Sequence, residues 1–283
     1  MARIAYVNGA YVPMDMAFVH VEDRGFQFAD GVYEGIVVKN GRMIDLEPHL
    51  DRLERSLNEL QIAMPMARGP LKLVFSETIR RNKLSDAFLY VQITRGVAKR
   101  DHAFPHNCPP TLVVTVRRLN LEAIRARAEK GVKAVSQPDI RWGRCDVKSI
   151  GLLPNVLAKQ AAKKEGSFEA VLVDKAGYVT EGSSTNIWIV TEADILVTRA
   201  TNANILPGIT RQTITKLAQE LQIKIEERAF TLDEAKSAKE MFLTSSTSCA
   251  TPIINLDGQK IGDGIPGRAA SKLLESYCAY MDQ

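Results

Sequence analysis

A mixed α+β / α/β fold in two domains is predicted by three features of this sequence. Its 283 residues exceed what one modest core requires. The first part opens on short strands joined by Asn-Gly turns, and the remainder alternates short apolar strands with amphipathic helices. Hydrophobic residues at 45% and charged residues at 25% are those of an ordinary globular chain, with no deficit of apolar side chains that would favour disorder.

In order, strands are expected at 3–7 and about 10–12, separated by Asn8-Gly9, and from Gly31 to Lys39, which Asn40-Gly41 turns into Met43-Ile44. Leu46, Leu50, Leu53, Leu57 and Leu60 alternate spacings of four and three, the period of one helix face, and Pro48 lies near the start, where a missing N–H does no harm. A second helix is expected around 70–82, followed by strands at 87–94 and 111–116. The Pro-rich polar segment between those strands, RGVAKRDHAFPHNCPP, is long for a passive connector and reads as a functional loop. Composition shifts at 117–123, where a short basic helix is expected to begin, and this divides a small domain, 1–119, from a larger one, 120–283. Beyond it come a strand at 132–136, the segment WGRCDVKS and a helix around 152–165. Strands at 168–173, 178–181 and 186–190 and one more precede a helix entered through Pro207-Gly208. A strand at 223–227, a short helix at 231–237, a strand at 240–244 and a C-terminal helix from Gly267 complete the order.

The formal charge of +4 arises from 37 basic and 33 acidic residues that are interspersed, so neither nucleic acid nor a membrane surface is an expected partner. No stretch approaches the ~18 apolar residues of a membrane span. The opening MARIAYVNGAYVPMD alternates apolar and polar residues, which suits a hairpin and not a secretory apolar core. Cys108, Cys145, Cys249 and Cys278 lack metal-like spacing and read as reduced thiols, so no metal and a cytoplasmic location are expected. Neither G-x-x-x-x-G-K-[ST] nor G-x-G-x-x-G occurs, so nothing points to a nucleotide.

Five segments could carry chemistry, and each has a bland alternative. Lys148 lies between a strand and a helix with Arg141 and Arg144 nearby; alone it is a surface charge. Glu181-Gly182-Ser183-Ser184 brings a carboxylate and hydroxyls to a strand end, either as a polar turn or as the acid that keeps a pyridinium nitrogen protonated. Gly208-Ile209-Thr210 puts free N–H groups at a helix start, which is an ordinary Thr-capped helix or a phosphate site. Ser245-Ser246-Thr247-Ser248 is a second hydroxyl cluster at a strand end. In an extended backbone Arg100 and His102 point to one side and Asp101 to the other, so the pair could grip one carboxylate, unless it is simply a solvated basic loop.

Together and in this order these segments resemble the class IV (fold-type IV) pyridoxal-phosphate aminotransferases, and within them the bacterial D-amino acid aminotransferases. The resemblance spans nearly the whole chain, through Asp23-Arg24-Gly25-Phe26 to Tyr33-Glu34, His49-Leu50-Asp51-Arg52-Leu53, Thr94-Arg95-Gly96, Arg100-x-His102, Asp139-Ile140-Arg141-Trp142, Asp146-Val147-Lys148-Ser149, Glu181-Gly182-Ser183-Ser184, Gly208-Ile209-Thr210-Arg211 and Thr244 to Ser248. It implies a small N-terminal α/β sandwich domain and a larger C-terminal β-barrel-like domain. It implies pyridoxal 5'-phosphate as cofactor, with Lys148 as its Schiff-base lysine and Glu181 on the pyridine nitrogen. Arg52, Ile209, Thr210 and Thr247 would hold its phosphate, with Ser184 and Ser246 also on the cofactor. Tyr33, Arg100 and His102 would bind the substrate carboxylate, the latter two across a homodimer interface. The implied activity is ping-pong transfer of an amino group from a D-amino acid such as D-alanine to a 2-oxo acid such as 2-oxoglutarate. Branched-chain L-aminotransferase, 4-amino-4-deoxychorismate lyase and a catalytically silent pyridoxal-phosphate binder remain open at this point.

Overall fold

The computed structural model describes residues 3–283 and divides into two compact units, one running to Asn120 and including Val147–Gly151, the other comprising Leu121–Asp146 and Leu152–Gln283. The first is built on an antiparallel sheet. Its strands are β1 (Ile4–Val7), β2 (Ala10–Pro13), β3 (Gly31–Lys39), β4 (Arg42–Met43), β5 (Ala87–Thr94) and β6 (Thr111–Arg118), in the order β2-β1-β6-β5-β3-β4. The helices are α1 (Arg24–Phe28), α2 (Leu46–Glu59) and α3 (Arg68–Asn82).

Period-two alternation makes one sheet face apolar: Ala87, Leu89, Val91 and Ile93 of β5 and Leu112, Val114 and Val116 of β6 are all buried. The leucine stripe of α2 and Leu71, Val74, Phe75 and Ile79 of α3 join them in one core, to which Val147 also belongs. The start of β3 takes up Lys148–Ile150 as backbone partners: Tyr33 N–H donates to the Lys148 carbonyl at 3.0 Å and Ile150 N–H to that of Gly31 at 3.0 Å. Gly31 is required there, because a Cβ would meet the Ile93 carbonyl oxygen at 2.7 Å.

Helix α1 has no apolar period to betray it. Instead Asp23 Oδ1 caps the Gly25 N–H at 2.8 Å and the left-handed Ala29 stops the helix after five residues. The basic pair Arg117-Arg118 ends β6 instead of opening a helix, with Arg117 stacked on Phe88 across the ladder.

The second unit contains α4 (Leu121–Lys130), β7 (Val132–Pro138), α5 (Leu153–Lys164), β8 (Glu169–Val173), β9 (Val179–Gly182), β10 (Asn186–Val190) and β11 (Leu196–Thr198). There follow α6 (Ile209–Glu220), β12 (Ile225–Glu227), α7 (Leu232–Lys236), β13 (Glu240–Ser245), β14 (Cys249–Leu256), β15 (Gln259–Lys260) and α8 (Arg268–Asp282). The strands form a mixed sheet in the order β12-β11-β10-β13-β14-β7-β8-β9, with β15 on β14. Parallel β7 and β8 pack Val135, Ala170 and Leu172 against Ala158 and Ala162 of α5, while Ile187, Ile189, Met241 and Leu243 belong to a second core cluster. The eight-residue strand β14 is absent from the sequence expectation. Its Pro252 lacks a ladder donor and argues against a strand, yet it is tolerated because the parallel pairing with β7 begins only at Ile253. Among the described residues no helix is long and apolar enough to cross a membrane.

Leu53 is fully enclosed and Leu73 projects into solvent. Leu53→Ala should therefore cost about 3 kcal/mol and Leu73→Ala under about 0.5 kcal/mol, as read from urea unfolding curves.

Candidate functional site

In the first unit the backbone fixes Lys148 before its side chain is considered. Besides the bond from Tyr33, the Lys148 N–H donates to Ser56 Oγ of α2 at 3.4 Å. Its Nζ lies 4.2 Å from the centroid of the Tyr33 ring, which in turn rests on Tyr90 at 5.6 Å. Among the described residues no oxygen accepts a hydrogen bond from this amine.

Next to Tyr33 on the strand, Glu34 points into the core and is 1% exposed. Arg52 of α2 meets it through two parallel bonds, Nε to Oε1 at 2.7 Å and Nη2 to Oε2 at 2.8 Å, and His49 Nδ1 lies 2.7 Å from Oε2. A carboxylate only accepts, so His49 carries its proton on Nδ1. Burial opposes the charge on Glu34, but the guanidinium and the imidazole N–H outweigh it and hold the carboxyl well below the usual carboxylate range. Burial pushes His49 down, so its ring is neutral at pH 7. Arg52 thus sits where α2 can deliver a cation, and no local motif hints that Glu34 and His49 hold it there.

The polar loop after β5 brings Arg100 and His102 together. The Arg100 guanidinium lies 4.6 Å from the Phe28 ring centroid and the His102 ring 5.5 Å from it. The backbone bends at His102 and Ala103, so it is not the extended stretch expected, and both side chains still reach one ring. Asp101 Oδ1 turns back to accept from the Ala103 N–H at 3.1 Å, away from the pair. Among the described residues no hydrogen bond joins Tyr33 to either member.

In the second unit Glu181 ends up buried on β9, ion-paired with Arg141 through Oε1. Its Oε2 accepts from Asn186 Nδ2 and from the Leu206 N–H, both at 3.1 Å. Arg141 is itself fixed by Asp139, Nε to Oδ1 at 2.9 Å and Nη2 to Oδ2 at 2.7 Å. Burial works against the Asp139 charge, and Arg141 with Thr180 more than compensates, lowering its pKa. The Asp139-x-Arg141 spacing is the one signal that could have revealed this support.

Asn186 also reaches α6. Its Nδ2 donates to the Leu206 carbonyl at 3.0 Å, and a Cβ on Gly208 would strike Asn186 Oδ1 at 2.1 Å. Gly208 therefore seats the N-terminus of α6 against Asn186 and leaves it without a side-chain cap, with Ile209 and Thr210 buried in its first turn. Ser183, Ser184 and Thr185 turn their hydroxyls onto the buried Glu169, so Ser184 Oγ is 3.5 Å from its Oε2. Ser246 and Thr247 form the half-buried turn between β13 and β14.

A family model described as amino-transferase class IV matches residues 31–256. The chain belongs to the class IV aminotransferases. Two curated relatives of this class IV aminotransferase are D-alanine aminotransferases. That of Bacillus licheniformis is 38% identical over 92% of this chain and 90% of its own, and that of Staphylococcus aureus (strain N315) 37% over 98% and 97%. Among solved structures, the branched-chain aminotransferase of the thermophilic archaeon Thermoproteus uzoniensis, with norvaline, is 25% identical with a TM-score of 0.88, covering 99% of this chain and 95% of that one. The Escherichia coli branched-chain amino acid aminotransferase, 24% identical with a TM-score of 0.89 over 99% and 95%, shares the fold. A hypothetical aminotransferase from Mycobacterium tuberculosis in its PLP-bound form, 22% identical with a TM-score of 0.84 over 99% and 100%, has the same fold.

The Glu34 cluster gives this class IV aminotransferase a defined acid response. Because the folded carboxyl titrates below its unfolded value of about 4.3, its stabilisation is complete above that pH and is lost as pH falls through the lower folded value. Glu34→Gln should remove the carboxylate that Arg52 meets through two parallel bonds and cost about 3 kcal/mol at pH 7. Between pH 6 and 3 the wild type should lose more stability than the variant, as measured by urea midpoints.

Proposed function

We propose that this class IV aminotransferase is a D-amino acid aminotransferase. It passes the amino group of a D-amino acid such as D-alanine to a 2-oxo acid such as 2-oxoglutarate in ping-pong order, with pyridoxal 5'-phosphate carried on Lys148. The near full-length similarity to D-alanine aminotransferases carries this reading.

The donor chemistry fits the cofactor. Lys148 is an amine not engaged by any described oxygen, for the aldehyde. Glu181 is a buried carboxylate with a fixed orientation, for the ring nitrogen. The uncapped start of α6 with Ile209 and Thr210, the cation Arg52 and the hydroxyls of Ser246 and Thr247 suit the phosphate, and Ser184 completes the set. When bound, pyridoxal phosphate supplies a conjugated ring that draws electrons from the substrate's Cα–H bond.

The chain's own groups do the rest. With the cofactor bound, Lys148 Nζ would be the group of this chain that takes up the substrate Cα proton and gives it back. Glu181 would hold the ring nitrogen in its protonated form, and Arg141 with Asn186 keeps the carboxylate from rotating away. Arg100 and His102 bind the substrate carboxylate with Tyr33, so the face of Cα that Lys148 meets decides the enantiomer. Arg100 and His102 meet at Phe28, apart from any bond to Tyr33, which supports a homodimer in which this pair serves the neighbouring subunit. No disulfide joins the four cysteines, which suits a reducing compartment such as the cytoplasm.

The structural likeness to the Thermoproteus uzoniensis enzyme favours one second reading, a branched-chain L-aminotransferase. Bleaching of the cofactor's visible band by D-alanine and not by L-leucine supports the first reading, and the reverse supports the second. Lys148→Ala should abolish turnover and the visible band together. Glu181→Gln should lower kcat about a hundredfold with little change in KM, as steady-state assays would show.

A further inference from the structure

Arg24 is buried in α1 and has no role of its own in the proposed chemistry, yet its guanidinium serves three acceptors at once. Nε donates to Asp30 Oδ2 at 2.8 Å, Nη1 to the Asp101 carbonyl at 2.6 Å and Nη2 to the His102 carbonyl at 3.4 Å. Among the described residues its Nη groups donate to nothing but these two carbonyls. They belong to the loop that carries Arg100 and His102, and the plane of the guanidinium sets the angle between two consecutive peptide groups.

One turn along α1, Phe28 supplies the ring on which Arg100 and His102 both rest, and Arg24 lies 4.8 Å from the same centroid. Asp30 makes the arrangement rigid. It also accepts from Arg95, Nε to Oδ2 at 2.7 Å and Nη2 to Oδ1 at 3.0 Å, while Arg95 donates to the carbonyls of Leu60 and Gln61 at 2.7 and 3.0 Å and stacks on Phe104 at 3.6 Å. The exposed loop is therefore tied to the largely enclosed Asp30 carboxylate, through Arg24 at Asp101 and His102 and through Arg95 at Phe104, and side chains that would otherwise sample many rotamers project from a fixed backbone.

We propose that Arg24, seated on Asp30, is the positioning residue that gives the Arg100–His102 pair its geometry, and so sets the affinity of the enzyme for the carboxylate of its amino donor. This rests on the reading above that the pair binds that carboxylate. Lysine cannot replace it, because a single ammonium cannot hold Asp30 and two divergent carbonyls in one plane.

The test uses the pyridoxal-phosphate-loaded enzyme with D-alanine as donor. Arg24→Lys, which retains the cation for Asp30, should raise KM about tenfold or more and leave kcat within about twofold. Phe28→Leu should do the same by removing the ring. The double variant Arg24→Lys/Arg100→Ala should be no worse than Arg100→Ala alone, since the pair is already disabled. Independently of activity, hydrogen exchange over residues 97–104 should accelerate in Arg24→Lys. Unchanged exchange, or a fall in kcat at constant KM, overturns the proposal. Should Arg100→Ala raise KM while Arg24→Lys does not, only Arg24 is wrongly assigned. Should Arg100→Ala leave KM unchanged, the carboxylate reading of the pair fails and the link from Arg24 to substrate fails with it, while exchange still decides whether Arg24 holds the loop.

Discussion

A carboxylate removed from water has to be met by donors at its oxygens, and four of them organise the functional parts of this protein. Glu34 draws Arg52 and His49 to the base of α2, and Glu181 gathers Arg141, Asn186 and the Leu206 N–H around the end of β9. Glu169 turns three successive hydroxyls inward, and Asp30 holds two arginines beneath the loop. Each acid is anchored by the fold, and in each case the donors it collects are, or support, the groups expected to touch cofactor or substrate. Precision is transferred outward from burial. A rotamer that would be loose at the surface is fixed because leaving its buried partner unpaired costs too much.

This arrangement separates two tasks. Glu181, Thr210 and Arg52, three of the groups expected on the cofactor, are buried in regular elements whose cores resist change. Of those expected on the substrate, Tyr33 lies on β3, while Arg100 and His102 are exposed on a loop, where side chains and loop length can vary without touching a core.

What could be read from sequence alone follows the range of its signals. The leucine spacing of α2 and the alternation of β5 are local, and both elements lie where their periods put them. Helix α1, five residues long, has no period, and Pro252 hides β14 from any propensity argument. The site shows the same division. Ordered motifs identified the candidate residues, but not what positions them, because the deciding contacts join residues far apart in the chain. Glu34 and Arg52 are 18 positions apart, Arg141 and Glu181 are 40, and Arg24 and the Asp101 carbonyl are 77. Only the folded sheet orders bring such partners within reach.

All of the proposed chemistry depends on one covalent attachment. The most direct measurement is to reduce the yellow holoenzyme with borohydride, digest it and locate the pyridoxyl label by mass spectrometry. A single label on the peptide containing Lys148 is the predicted result. A label on another lysine, or a protein that takes up no cofactor to be labelled, would contradict the account.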